Sequence, residues 1–137
     1  MKPLIMTLEE IKSLLPNIDL MGPITKGFVA YSSGKAVIPA PGELSFENPR
    51  GDVHIKYGHI EGDDAFVVKI ASGFYDNPLH GLPVGNGVML AFARQTGELS
   101  AVLLDGGLLT RVRTGVAGAI AARYLAPSDV HNIGVIG

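Results

Sequence analysis

Apolar runs separated by turn residues most strongly constrain how this chain can fold. Four runs of five to seven residues have the composition or the two-residue alternation of β-strands, at residues 52–57, 65–71, 88–92 and 99–104. The last two flank Gln95-Thr96-Gly97-Glu98, a turn sequence typical of a β-hairpin. A shorter run precedes them at residues 36–39, and a Gly- and Pro-rich loop is expected over residues 77–87. The middle of the chain is therefore expected to form a mixed or antiparallel sheet.

Helical patterns lie on both sides of these runs. Thr7 and Glu10 have the spacing of a capping box, which predicts a helix start, and Pro16 is expected to end that helix. A second helix is expected over residues 18–31, and Gly22-Pro23 inside this segment leaves a later start at Pro23 as the alternative. The longest helical pattern covers residues 108–124 and carries one apolar stripe. These patterns predict an α+β fold, with N-terminal helices, then the sheet, then a long helix.

Composition narrows the classes of protein to which the chain can belong. Its 137 residues are 47% hydrophobic and 18% charged, a balance that excludes a disordered chain and favours a folded domain. There is no cysteine, so disulfide bridges, cysteine-ligated zinc and a thiol nucleophile are excluded. The histidines show no metal-ligand spacing (His54, His59, His80 and His131). We therefore expect no metal site.

Charge and hydropathy bear on partners and location. The net charge is −2, so no basic surface indicates binding to nucleic acid. No apolar run approaches the roughly 18 residues that span a bilayer. Glu9 and Glu10 interrupt the N-terminal apolar pattern, which argues against a signal peptide. We expect a cytoplasmic protein that binds neither nucleic acid nor a membrane.

Several basic side chains lie where they could bind an anion. Lys69 lies in an apolar strand pattern, either as an edge residue whose amine reaches water or as a fixed cation aimed at a carboxylate. Lys56 shares the alternating face of its run with His54, and an exposed strand residue is the simpler interpretation. Arg113 and Thr114 lie near the start of the long helix, where they either face solvent or bind an anion together with free amides.

The sequence closes with Ile-Gly-Val-Ile-Gly at residues 133–137. One interpretation is a simple C-terminal strand. The other is the first strand of a dinucleotide-binding unit, in which Gly137 would be the first glycine of the Gly-x-Gly-x-x-Gly motif. Composition does not decide between the two.

Taken in order, several segments resemble the ornithine cyclodeaminase/mu-crystallin family. The matching segments are residues 28–36, Val68-Lys69-Ile70, the turn at Thr96-Gly97, and residues 109–114 with the Ala- and Gly-rich helix that leads to residues 133–137. The resemblance implies a homodimeric enzyme or binding protein with two parts. Residues 1–126 would form the substrate-binding and dimerisation domain, and residues 127–137 would begin a Rossmann domain for NAD(P), with NAD as the expected cofactor.

The resemblance also implies roles for individual residues. Lys69 matches the family lysine that binds the carboxylate of the amino-acid substrate, and Arg113 matches an arginine that serves this carboxylate beside the cofactor phosphates. Thr114 matches a neighbouring phosphate ligand, and Gly137 matches the first glycine of the cofactor loop. The family's catalytic aspartate belongs beyond Gly137, so no catalytic residue is expected within the chain.

One departure from the family concerns the carboxylate site. An arginine that follows a proline in many members is missing from Pro39-Ala40-Pro41-Gly42. Lys56, thirteen residues before Lys69, stands where many members have methionine. We hypothesise that Lys56 replaces the missing arginine as a second cation, because a buried carboxylate needs such pairing.

The resemblance implies an activity, and alternatives to it stay open. For the cyclodeaminase branch it implies a lyase of amino-acid metabolism that converts L-ornithine to L-proline and ammonia with NAD. The same family contains NAD(P)-dependent imino-acid reductases and amino-acid dehydrogenases. A non-catalytic dimerisation or ligand-binding chain is the hypothesis from another class, and an unrelated small α+β binding domain is the third. We expect the chain alone neither to bind NAD tightly nor to turn over.

Overall fold

A computed structural model provides the structure of the chain and describes residues 2–135. Within these residues the strands are β1 (Leu4–Met6), β2 (Ala36–Val37), β3 (Gly42–Phe46), β4 (Gly51–Ile60), β5 (Ala65–Phe74), β6 (Gly85–Ala93) and β7 (Leu99–Leu103). The α-helices are α1 (Leu8–Leu14), α2 (Met21–Ser32) and α3 (Leu108–Leu125), and short 3-10 helices cover Leu15–Asn17 and Asn77–His80. The predicted α+β class is confirmed.

The strands form one sheet in the order β1-β7-β6-β5-β4-β2, with β3 also paired to β4. Neighbouring strands are antiparallel except β1 and β7, which run parallel. The predicted hairpin joins β6 to β7, where the Gly97 amide donates to the Ala93 carbonyl at 2.8 Å. Gly97 has φ of +73°, a conformation that glycine adopts without strain. The sheet is therefore built largely from contacts between successive strands.

Three parts of the sheet differ from the sequence-based expectation. The pattern of residues 4–6 does not predict β1, which pairs in parallel with β7. The pattern of residues 42–46 does not predict β3, whose residues are all exposed at the edge of the sheet. Strand β6 begins at Gly85, inside the segment expected to be a loop. Glycine weakens intrinsic strand preference, so local composition favoured a loop although the strand pairs along its whole length with β5.

The ends of the first two helices follow from their capping residues. The capping box of Thr7 and Glu10 is present, which confirms the predicted start of α1. Pro16 lies in the 3-10 turn that follows α1 rather than in the helix, as expected. Helix α2 starts at Met21, later than the predicted residue 18, because the Asp19 carboxylate accepts hydrogen bonds from the Met21 and Gly22 amides at 3.0 and 3.2 Å.

Helix α3 confirms the long helix predicted from the apolar stripe, and it is anchored tightly to the sheet. The Asp105 side chain is 1% exposed and accepts a hydrogen bond from the Leu109 amide at 2.8 Å. Gly106 and Gly107 take φ of +55° and +80°, which turns the chain sharply from β7 into α3. A side chain at Gly87 would meet the Gly107 backbone at 3.4 Å, so the start of the helix rests directly on β6.

The two-residue period of the strands divides side chains between two faces. Register places Lys56, Lys69, Met89, Leu103 and Met6 in one row across five strands. Gly87 points to the same side as this row, two residues from Met89, so we call it the α3 face. The next row points to the opposite side, which we call the open face, and consists of Tyr57, Val68, Leu90, Val102 and Ile5.

The open face leaves apolar side chains in water. Ile5, Leu44, Phe46 and Tyr57 point to this side and are 57%, 57%, 41% and 45% exposed. The chain exposes 9910 Å² in total, whereas a compact monomer of its mass exposes roughly 6,800 Å². The buried apolar side chains among the described residues are Ile11, Ala30 and Ile120. The sheet therefore has one face that its own helices do not cover.

The last described segment, residues 126–135, follows α3. Residues 126–135 adopt no regular secondary structure, so the described part of the predicted final strand is not paired to any strand within residues 2–135. Ile136 and Gly137 lie outside the described residues, and the division into residues 1–126 and 127–137 stays a prediction. No helix in the described chain is long and apolar enough to cross a membrane.

Replacement of Gly87 by alanine tests the close contact between β6 and α3. The new methyl group would lie 2.9 Å from the Ile70 carbonyl and 3.4 Å from Gly107, so we expect Gly87→Ala to lower the free energy of unfolding by about 1–3 kcal/mol. Gly115→Ala is the matched control. Nothing lies within 4 Å of its new side chain, and we expect it to raise stability by up to about 1 kcal/mol through helix propensity. Urea unfolding measures both, and equal effects of the two variants would contradict the contact.

Candidate functional site

Lys56 and Lys69 are direct cross-strand partners on the α3 face. Lys56 lies on β4 and Lys69 lies opposite it on β5. Like charges directly opposite each other destabilise an antiparallel pair. A pair of lysines at opposite positions that costs stability is typical of a site for an anion.

Lys69 is the more enclosed of the two lysines. It is half-buried, with Met89 opposite it on β6, while Lys56 is exposed. Burial lowers the pKa of Lys69 below its ordinary value, and the positive charges of Lys56 and Arg113 lower it further. The negative charge of Asp105 acts in the other direction. Within residues 2–135 no carboxylate forms an ion pair with Lys69.

Arg113 is the third cation of this cluster. It lies in the second turn of α3 and is exposed, and its charge acts on Lys69. The anchored start of α3 therefore brings Arg113 to the α3 face of the sheet. Residues 56, 69 and 113 are far apart in the sequence, and we call this group the cation cluster. No described carboxylate neutralises Lys69, so the cluster can accept an anion.

Arg111 occupies a different position from Arg113. It lines a cavity of about 490 Å³ whose wall also includes Ala71, Gly85 and Gly107. One terminal nitrogen of its guanidinium lies 3.6 Å from the position that a Cβ at Gly107 would take. The two arginines are two residues apart on one helix, so they point in different directions from its axis.

The residues expected to serve the cofactor have distinct environments. Arg113 is exposed, and its guanidinium is suited to a phosphate. The Thr114 hydroxyl donates a hydrogen bond to the Thr110 carbonyl at 2.8 Å. It would have to turn away from that carbonyl in order to donate to a phosphate. Gly137 lies outside the described residues.

A second group of polar residues continues along β4 and was not recognised as a site from the sequence. His54 and Asp52 share the α3 face with Lys56, and His54 Nε2 lies 3.4 Å from Asp52 Oδ1. The Tyr75 hydroxyl donates a hydrogen bond to Asp52 Oδ2, and this bond and the carboxylate charge raise the pKa of Tyr75. Arg50 lies over the Tyr75 ring, 5.8 Å from its centre. The alternation of Asp52, His54 and Lys56 was a usable signal, but nothing local linked Tyr75 to them.

Asp105 is another residue that sequence patterning missed. Its position before Gly106-Gly107 and the helix start is the signal that could have identified it as a capping residue. The histidines, aspartates and glutamates within residues 2–135 form no group that could hold a metal ion.

Comparison with known proteins places the chain in a family. The model of the ornithine cyclodeaminase/mu-crystallin family matches residues 1–137, so the chain belongs to this family. It is 40% identical over 127 residues to an uncharacterized cyclodeaminase of Sinorhizobium fredii, covering 91% of this chain and 38% of that protein. The chain spans about two fifths of the length of the curated relatives it matches.

Solved structures show the same fold. An archaeal alanine dehydrogenase dimer with bound NAD is 34% identical with a TM-score of 0.81, covering 93% of this chain and 38% of that one. The Δ1-pyrroline-2-carboxylate reductase of Thermococcus litoralis, in complex with NADH and L-proline, is 26% identical with a TM-score of 0.83. That match covers 92% of this chain and 39% of the reductase.

The cation cluster predicts how the protonation of Lys69 responds to its neighbours. We expect Lys56→Gln to raise the pKa of Lys69, because it removes a positive charge that lowers this pKa. NMR detection of the Lys69 side-chain Cε–Hε signals during a pH titration measures the change. Lys35→Gln is the control, since Lys35 is not among the charges that act on Lys69. An equal response to both variants would show that Lys56 does not act on Lys69.

The same shift has a consequence for stability. A lysine whose pKa is lower in the folded chain than in the unfolded chain loses its proton first in the folded chain. Stability therefore rises with pH between the folded pKa of Lys69 and its ordinary value of 10.5, and the charged Lys69 is unfavourable below that window.

Proposed function

We propose that this member of the ornithine cyclodeaminase/mu-crystallin family is the substrate-binding part of a nicotinamide-dependent enzyme that interconverts an α-amino acid and its imino acid. The observation that carries the proposal is the cross-strand pair of Lys56 and Lys69, joined by Arg113. These cations would hold the α-carboxylate common to all such substrates. A bound carboxylate would relieve the mutual repulsion of the cluster, which supports this assignment over a solvated surface.

The three cations would act on the substrate by orientation. Lys69 lies on the sheet and Arg113 on α3, and the charge of Arg113 acts on Lys69, so a carboxylate between them would be held from two elements. Fixing the carboxylate fixes the position of the adjacent α-carbon and its hydrogen, which is the positioning contribution to catalysis. Lys56 would bind the same carboxylate from the neighbouring strand, in place of the arginine that this sequence lacks.

The cofactor would be NAD, as in the solved relatives. When bound, it would supply the acceptor or donor of hydride. Arg113 is exposed beside the cation cluster and fits a phosphate oxygen. Thr114 would contribute once its hydroxyl leaves the Thr110 carbonyl. Gly137 would belong to the cofactor loop. We expect residues 2–135 to contribute the carboxylate site and a small part of the cofactor site.

Ornithine cyclodeaminase is a second candidate within this proposal. Such an enzyme would convert L-ornithine to L-proline and ammonia after the same step at the α-carbon. The cyclodeaminase relative favours it, and so does Asp52, whose carboxylate lies on the α3 face four residues before Lys56. A carboxylate at that side offers an acceptor for the second ammonium group of a diamino acid.

The open face supports assembly into a homodimer. Tyr57, Val68, Leu90, Val102 and Ile5 form an apolar row across five strands. The whole chain exposes about 3,000 Å² more than a compact monomer, and the open face contributes part of this excess, whereas a standard interface buries about 800 Å² per partner. A second copy of this chain would present the same apolar face, so the two sheets could cover each other face to face.

Binding of a carboxylate ligand tests the site on the 137-residue chain. We expect L-proline to shift the backbone amide NMR signals around Lys56, Lys69 and Arg113. We expect Lys69→Gln to weaken its binding by about tenfold, since a hydrogen bond to a charged group contributes about 1.5–3 kcal/mol. Lys35→Gln should bind as the parent chain does. Shifts confined to other regions, or unchanged affinity in Lys69→Gln, would refute the carboxylate site.

The same titration separates the two candidate substrates. L-ornithine and L-norvaline differ in the side-chain ammonium group alone. Tighter binding of L-ornithine, lost in Asp52→Asn, would assign the cyclodeaminase activity. Equal binding of the two ligands would favour a reductase or dehydrogenase of smaller substrates.

Sedimentation equilibrium tests the dimer. We expect the chain to be a dimer at micromolar concentration and Tyr57→Glu to shift it to monomer, because a charge on the open face would have to be buried without a partner. Val67→Glu is the matched control. Val67 is 51% exposed, similar to Tyr57, and pairs with Gly58 on the α3 face. A monomeric parent chain, or equal effects of the two variants, would contradict the assignment.

A further inference from the structure

His54 lies next to the cation cluster, at one end of a row of small residues. It is two residues from Lys56 on β4 and opposite Ala71 on β5. Ala71 in turn lies opposite Gly87 on β6. Beyond the imidazole of His54, this row contains only the methyl group of Ala71 and the hydrogen of Gly87. This row forms a shallow floor beside Lys69 and beneath the start of α3.

Asp52 lies beside one nitrogen of the imidazole. His54 Nε2 lies 3.4 Å from Asp52 Oδ1, and the other carboxylate oxygen accepts the hydrogen bond from Tyr75. The Asp52 and His54 side chains are 24% and 36% exposed, so the pair is partly shielded from water. No residue within 2–135 hydrogen-bonds to Nδ1 of His54. A carboxylate that orients one imidazole nitrogen leaves the other for proton transfer.

We propose that His54, oriented by Asp52, exchanges a proton with the nitrogen of the bound substrate. This inference rests on the proposed function, since the substrate is placed by its carboxylate on the cation cluster. The nitrogen of an α-amino acid is two bonds from its carboxylate carbon. A carboxylate held at Lys56 and Lys69 therefore brings the nitrogen within reach of a neighbouring residue on the same face.

The proton step is balanced between two groups. The N–H bond of the substrate ammonium breaks and a bond forms between that proton and Nδ1 of His54, which leaves a neutral amine and an imidazolium. The neutral amine carries the lone pair that is needed to form the carbon–nitrogen double bond as hydride leaves the α-carbon. In the opposite direction the imidazolium returns the proton to the substrate nitrogen.

Charged residues lie near His54 on its own strand, on both neighbouring strands and on α3. Asp52 and Lys56 lie on its own strand, and Lys69 lies diagonally across on β5. Glu43 lies opposite it on β3, and Arg113 belongs to α3. Lys56, Lys69 and Arg113 disfavour a further positive charge nearby, so they assist loss of the proton from the substrate nitrogen.

A pair of matched ligands tests the proposal without any enzymatic turnover. L-proline and cyclopentanecarboxylate share a ring and a carboxylate, and only L-proline has a nitrogen. Their affinities for the 137-residue chain are measured by NMR titration at about pH 8 and about pH 5.5. Each dissociation constant is calculated from the concentration of the ligand whose carboxylate is ionised. The ratio of the two dissociation constants cancels the contribution of the lysines and isolates the contact with the nitrogen.

We expect the preference for L-proline to fall by up to about tenfold at the lower pH, because a protonated imidazole repels the ammonium of this ligand. In His54→Gln the preference should not depend on pH. His131→Gln is the matched control, because His131 forms a similar pair with Asp129 at 3.1 Å on the exposed surface. Asp52→Asn is a second variant, in which the preference at the higher pH should fall several-fold.

The outcomes distinguish this inference from the proposed function. If both ligands shift the signals of the cation cluster but their ratio is independent of pH, His54 does not contact the nitrogen and the carboxylate site stands. A His54→Gln chain that behaves like His131→Gln would lead to the same conclusion. If neither ligand shifts those signals, the proposed function fails, and this inference fails with it.

Discussion

The repulsion between Lys56 and Lys69 is the interaction on which the proposed carboxylate site depends. Register places them directly opposite each other on adjacent central strands. The pairing of β4 with β5 over nine residue pairs holds them there against their like charge. Burial and the charges of Lys56 and Arg113 already lower the pKa of Lys69, so the site is poised to gain from an anion. A substrate carboxylate would supply the missing negative charge.

The third cation reaches this pair because α3 is fixed to the sheet at its first turn. Asp105 binds the Leu109 amide, and Gly107 rests on Gly87 without an intervening side chain. These contacts set where the helix starts, and the helical period then sets where Arg113 points. Asp105 thus connects the packing of the helix to the electrostatics of the site, since its own charge also acts on Lys69.

The alternation of side chains gives one sheet two unrelated surfaces. On the α3 face, Asp52, His54, Lys56 and Lys69 form a polar group beside small residues that leave room for a ligand. On the open face, the row from Tyr57 to Ile5 is apolar, exposed at its two ends and half-buried between them, which suits a second sheet. A shift of one residue in the pairing of β4 would exchange these surfaces, so the register of β4 keeps the polar group and the apolar row on opposite faces.

Local sequence determined the elements of this fold. Thr7 and Glu10 predicted the start of α1, Thr96-Gly97 predicted the hairpin, and the apolar stripe predicted α3, because caps, turns and helical periodicity act between residues close in the chain. The resemblance to the family brought Lys56, Lys69 and Arg113 together as a hypothesis before any geometry was known. Only the tertiary structure decided that Lys56 faces Lys69, that Tyr75 bonds to Asp52 across 23 residues, and that Asp105 is buried under α3. Those contacts depend on strand register and on the docking of a helix, which arise from packing over the whole sheet rather than from residues close in the chain.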